Sequence, residues 1–285
     1  MTRRRFPVGK TLLYVFMSLW ALTTIYPFIW VILNSFKPRG LIRSDTFSLP
    51  IGDKFTLENY VTAFKRVDIG TAYVNSIVIS GAVTVVVMVL AGLAAYAMVR
   101  YSFRLRGFLH SMIIASMMFP VFSTIIPVFR MESSWGIVNT GSIWLTRLSV
   151  VLPQIAGNPS FAIIVLMGFI RSLPVDLEEA AYLEGYNVYQ IFFRIIMPLA
   201  KPSFATVGIF TFLWSYNDLF LQMFFLRSKK FFTITRLLNE ISSQAGTNYG
   251  LMVAAVVMVV IPVLVVYIFL QNYIIKGMTA GAVKG

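Results

Sequence analysis

Five stretches of this chain contain no Asp, Glu, Lys or Arg: Lys10 to Lys37, Asp68 to Arg100, Arg106 to Arg130, Arg147 to Arg171 and Glu240 to Lys276, end residues excluded. A sixth, Lys201 to Arg227, carries a single internal charge, Asp218. Each can supply the roughly 20 apolar residues a helix needs to cross a bilayer. Only 12% of the 285 residues are charged, against about a quarter in a soluble domain. Mean hydropathy is +0.79. The pattern predicts an all-α membrane protein with six transmembrane helices, at about 11–35, 71–98, 108–129, 149–170, 203–225 and 251–275. A membrane barrel would alternate polar and apolar residues over segments of about ten. A run such as SIVISGAVTVVVMVLAGLAAYAM does not alternate, and helices satisfy their own backbone in lipid.

The formal charge of +13 raises the question of nucleic acid. The basic residues are spread over every loop, without the basic-aromatic surface such binders carry, so no nucleic-acid partner is expected. Absence of Cys and the presence of one His, His110, argue against a metal site. The segment MTRRRFPVGK resembles the start of a signal peptide, but the apolar run behind it is too long and lacks a cleavage site. It reads as a retained first span with Arg3, Arg4, Arg5 and Lys10 in the cytoplasm. With an even number of spans both termini are then cytoplasmic, and the short basic Arg100–Arg106 loop favours the same orientation. Segments 36–70 and 226–250 become the long external loops, and 171–202 the longest cytoplasmic one. One membrane domain, 1–285, is the simplest organisation.

Segment 171–202 holds the most acidic stretch, DLEEAAYLEGY (176–186). Asp176 reads as a helix N-cap, with Glu179 completing a capping box. Gly185 suits the left-handed position after a helix end. Asn187 and Gln190 read as the cap of a second short helix, which places Val188, Ile191, Phe192 and Ile195 on one face. Pro198 and Pro202 end that helix before the fifth span. Capping leaves Ala180, Ala181 and the extra carboxylate unexplained. Small side chains beside exposed acids suit a docking knob for a partner protein, and a plain membrane-surface helix is the competing reading.

Glu179-Ala180-Ala181, three residues, Gly185, nine residues, Ile195, one residue, then Met197-Pro198 resembles the EAA loop of ABC importer permeases. Met197 stands where that pattern has Leu. GIVNT (136–140), YNDLF (216–220) and QNYIIKGMTAGAVKG (271–285) are similar to the carbohydrate-uptake branch of the maltose-permease type. The similarity runs from the first span to the last residue, with Tyr216 in place of a usual Trp.

The resemblance implies the type I ABC importer permease fold and a bacterial cytoplasmic-membrane subunit importing a carbohydrate, with an oligosaccharide expected. It implies a coupling helix around Glu179, Ala180, Ala181 and Gly185 that docks on an ATPase. It also implies a second homologous permease forming a heterodimer, two ATPase subunits holding ATP and Mg, and an extracytoplasmic solute-binding protein. The tail, with Gly281 and Lys284, would contact the ATPases; a frayed terminus is its plain alternative. The 226–250 loop would reach the binding protein.

The chain itself has no GxxxxGK[ST] motif and no catalytic constellation, so no enzymatic role and no cofactor of its own are expected. Asp218 is the notable charge within a span, and such residues face a cavity or a partner. With Asn217 and Gln222, and with Trp214 and Tyr216 to stack on sugar faces, it could line a translocation path; pairing with the other permease or placement near the outer interface is equally open. Prolines 27, 120, 127, 153 and 262 read as kinks. The Ala91, Gly92, Ala94, Ala95 cluster reads as close helix packing. An ion-coupled transporter is the alternative from another class, though it would want more intramembrane charge.

Overall fold

Long apolar runs leave the backbone only itself to hydrogen-bond to, and the structure, a computed structural model, is helical throughout its described residues (8–66, 68–245 and 248–282) with no strand among them. Arg3, Arg4, Arg5 and Lys284 lie outside the described residues. The helices run α1 Val8–Ser35, α2 Arg39–Ser44, α3 Glu58–Arg66, α4 Ile69–Arg100, α5 Arg106–Met117, α6 Val121–Ser134, α7 Ile143–Gly157 and α8 Pro159–Ile170. After these come α9 Asp176–Leu183, α10 Val188–Ile191, α11 Met197–Leu199, α12 Lys201–Asn217, α13 Leu219–Phe225, α14 Ile234–Ala245 and α15 Tyr249–Ala282.

By length and composition, α1 and α4 can each cross a membrane as single helices. Three bent pairs can each do so as one broken span: α5 with α6 (100°), α7 with α8 (48°), and 188–199 with α12 (84°). The 34-residue α15 supplies the last long apolar helix. The third and fourth predicted spans, 108–129 and 149–170, are therefore not continuous. Pro120 is the cap residue before α6, and Pro159 takes the first position of α8. A proline at a helix start needs no N–H donor, which is why each break falls beside one. The predicted fifth span, 203–225, is likewise broken at Asp218. Pro27, Pro127, Pro153 and Pro262 lie inside helices.

The chain divides into two compact units, one of residues 1–68 and 238–263, the other of 69–237 and 264–285. In the first, Lys37 is fully buried and its ammonium donates to the carbonyls of Asp45 (3.0 Å) and Thr46 (2.9 Å). Asn59 donates to the carbonyls of Ser35 and Lys37 at 2.9 and 2.8 Å. The segment between α1 and α3 is thus folded around its own polar groups. From residue 9 to 29, α1 is exposed on every side; its apolar surface suits lipid or a neighbouring subunit.

In the second unit α4 is the central element, packed against α7, α8 and α12. Its buried stripe alternates small and β-branched residues: Ala72, Ser76, Ile79, Ser80, Val83, Val87, Ala91, Gly92 and Ala95. Small residues let helices approach closely where the solvent is lipid. Gly92 is the tightest point. A Cβ there would lie 2.8 Å from the Phe204 ring and 2.9 Å from the Phe192 ring.

Candidate functional site

Helix α9 is two turns long, too short to persist unaided, and its two faces are treated differently. Glu178 and Ala181 face inward, each only 4% exposed. Asp176, Glu179 and Ala180 are exposed, and Leu183, at 91%, projects from the end of the helix. Glu178 Oε1 accepts from Arg100 Nε at 2.5 Å and Oε2 from the Tyr96 hydroxyl at 2.7 Å. Arg100 Nη2 also donates to the Leu173 carbonyl at 2.9 Å. One turn on, the Tyr182 and Tyr101 hydroxyls meet at 2.8 Å. That contact pushes the Tyr182 phenol up to about 12, so it is neutral at physiological pH. The extra carboxylate that capping leaves unexplained is thus Glu178, paired inside the chain, while Glu179 is exposed.

The expected Asp176 cap is not formed. Val175 occupies the cap position without a side-chain bond, and Asp176, Glu178 and Glu179 fill the first turn. There they favour the positive end of the helix dipole instead. The far end follows expectation. Gly185 has φ +85°, its N–H donates to the Tyr182 carbonyl, and the Tyr186 N–H donates to that of Ala181. These two bonds make a Schellman stop. The Asn187–Gln190 capping box is present in both directions, at 2.8 and 2.9 Å. Beyond α10 the chain makes a π turn, Phe192–Ile196, in which Met197 N–H reaches back to the Phe192 carbonyl. The wider turn moves the inner face by one residue. Ile191, Phe192 and Ile196 are buried, rather than the predicted Ile195 and Val188.

A second cluster lies at the Asp218 break. Asp218 Oδ1 caps α13 by accepting from the Leu221 N–H at 3.2 Å, and Oδ2 accepts from Gln154 at 3.0 Å. Ser215 donates to Gln154 Oε1 at 2.5 Å. Gln222, 1% exposed, donates to the Ser215 carbonyl at 3.2 Å. Its own carbonyl accepts from Thr233 and from Thr235, the latter at 2.8 Å. Asp218 and Gln222 therefore fasten the break, because an interrupted helix exposes polar backbone that must be satisfied. Their expected partners in a path, Trp214 and Asn217, are exposed.

Trp214 lines a cavity of about 310 Å³ together with Ser116, Asn158, Ser160, Phe161 and Thr211. The cavity lies where α5 gives way to α6 and α7 to α8. Its polar groups come from interrupted helices, the usual source of polar contacts at membrane depth. Neither Gln154 nor the Ser116–Asn158–Ser160 group is marked by the sequence, and Glu178 is marked there only as the extra carboxylate of 176–186. The charge of Glu178 and the Asn158-Pro159 pair were the available signals.

Residues 88–280 match the family model described as binding-protein-dependent transport system inner membrane component. The chain belongs to that family. Its members are transport subunits, so the ion-coupled alternative falls away. The chain is 33% identical over 273 residues to the diacetylchitobiose uptake system permease protein NgcG of Streptomyces coelicolor, covering 95% of this chain and 88% of that protein. It is 32% identical over 263 residues to the trehalose transport system permease protein SugB of Mycobacterium tuberculosis, covering 92% and 93%. The fold matches that of a chain in the crystal structure of a bacterial ABC transporter involved in the import of the acidic polysaccharide alginate, with TM-score 0.80, 24% identity and 96% and 99% coverage.

Proposed function

We propose that this chain is one of two permease subunits of an ABC importer that carries a carbohydrate, an oligosaccharide in first instance, through the cytoplasmic membrane of a bacterium. The observation that carries the reading is α9: a short helix stapled to the core through Glu178, with Glu179, Ala180 and Leu183 turned outward. Such a helix is held from the inside and offers its outward face to a second protein. Relatives with over 30% identity are named for sugar uptake, which supports the substrate class.

On this reading residues 1–285 act as a single membrane domain with both termini and α9 in the cytoplasm. Glu179 and Ala180, with Leu183, form the outward coupling face for an ATPase subunit, while Ala181, expected on that face, packs inward beneath it and Gly185 fixes the end of the helix. Two such subunits bind ATP and Mg. Gly281 and Lys284 extend the contact. A homologous permease completes the heterodimer, and an extracytoplasmic binding protein delivers the sugar. ATP-driven closure of the ATPases moves α9, and hydrolysis resets it. Trp214 with Asn217 lies on the path, the ring stacking on a sugar face beside the polar groups of the cavity, while Asp218 and Gln222 hold the break behind it.

Expression with the partner subunits tests this. The chain should bring down an ATPase. Vesicles given ATP and the binding protein should then accumulate diacetylchitobiose or trehalose. Accumulation by vesicles carrying this chain alone on an ion gradient would refute it.

A further inference from the structure

The two adjacent glutamates of α9 do different things, and the inward one has a task that docking does not describe. We propose that Glu178 is the positioning residue through which movement of α9 is passed to α4, with Arg100 and Tyr96 as its receivers. The inference rests on α9 being the coupling helix.

The geometry joins three pieces of chain at one point. Arg100 is the last residue of α4, and Tyr96 lies one turn before it. Leu173, whose carbonyl takes the second arm of Arg100, belongs to the turn after α8. Glu178 belongs to α9 itself. All three side chains are largely shielded from water: the Arg100 and Glu178 side chains are 10% and 5% exposed, and Tyr96 is 2% exposed. A charge-assisted pair out of water is short and directional, and separating its members strands a buried charge. The node therefore resists stretching more than a solvated contact would.

From α4 the connection continues by packing. The α4 stripe meets α8 and α12, and these helices carry Ser160, Phe161, Thr211 and Trp214 of the cavity. Displacement of the outward face of α9 thus has a stiff route to the cavity wall. Tyr182 of α9 also meets Tyr101, but that is a contact between exposed hydroxyls.

A purely architectural ion pair would leave the response of the cavity to nucleotide intact once the complex has assembled. The chain has no cysteine, so Ser116→Cys places its single thiol in the cavity. In the assembled transporter, its labelling by a water-soluble maleimide is compared with and without ATP plus vanadate, normalised to trapped nucleotide. With Glu178 present the rate should change at least fivefold. In Glu178→Gln the change should fall below twofold although nucleotide is still trapped. A full fivefold change in Glu178→Gln overturns the proposal. If that variant does not assemble, Tyr96→Phe decides, since it removes one hydroxyl and keeps the ion pair: the response should drop two- to threefold, and an undiminished response overturns the proposal. An assembled, vanadate-trapped complex whose Glu178-bearing chain shows no change would overturn the coupling reading itself, and the proposal with it.

Discussion

Two of the carboxylates withdrawn from water among the described residues, Asp218 and Glu178, are held in different ways. At the Asp218 break the acid is held by neutral donors, an amide from Gln154 and the N–H of Leu221. At the head of α9 the acid is met by a cation, Arg100. The first arrangement suits a fixed joint, because several moderate bonds share the load and two of them, to the Leu221 N–H and the Ser215 carbonyl, satisfy backbone at the interruption. The second concentrates the load in one pair linking distant segments. Burial of polar groups in an oily chain therefore marks a fastening first. Function has to be read from what the fastening leaves exposed, here Glu179 and Leu183 beside Glu178, and Trp214 beside Ser215.

The contrast is sharpest under substitution. Glu178→Leu alone leaves the Arg100 guanidinium buried and unpaired, and should cost about 3–5 kcal/mol of stability. Replacing both members with Leu and Met should recover most of that loss, since a well-packed apolar pair is often neutral. Denaturant unfolding in detergent micelles measures both. A double variant as unstable as the single would mean the cost lies in packing rather than charge. At the neutral joint a single loss should be milder. Gln222→Leu removes the acceptor of the Thr233 hydroxyl and the donor to the Ser215 carbonyl, while Thr235 keeps the Tyr216 carbonyl at 3.1 Å, and should cost about 1–3 kcal/mol, read by the same unfolding assay. Smallest is the stop after α9. Nothing lies within 4 Å of a Cβ built on Gly185, so only its φ of +85° restricts the site. Gly185→Val should cost about 1–2 kcal/mol of backbone strain, and Gly185→Asn clearly less. Equal losses would point to a steric role instead.

Much of the fold can be read from the sequence because hydrocarbon thickness is a severe constraint. The charge-free runs locate α1, α4 and α15 directly, and the spacing of Ala91, Gly92 and Ala95 marks the tight packing against Phe204. Local backbone demands are equally visible: Gly185 needs its positive φ, and Asn187 with Gln190 closes a box three residues wide. What is not visible depends on distant partners. Which glutamate of Glu178-Glu179 turns inward is decided by Arg100, 78 residues earlier. Similarly, the role of Asp218 depends on Gln154, 64 residues away. The composition of a broken span is also nearly that of a continuous one: Pro120 reads as a kink and the chain bends there, but neither the 100° of that bend nor the 48° of the one before Pro159 is legible in runs of suitable length. The π turn shifts Ile195 off the inner face through one extra backbone residue, which periodicity alone does not encode.

The two faces of α9 give the most direct test of the account. Leu183→Cys and Ala181→Cys each place one thiol in a chain that otherwise has none, the first on the outward face and the second on the inward face. A photoactivatable maleimide on each, followed by illumination of the assembled transporter in membranes, reports what that face touches. The account predicts an adduct between the Leu183→Cys chain and an ATPase subunit, and none from Ala181→Cys. Adducts of Leu183→Cys with lipid alone, or equal adducts from both positions, would contradict it.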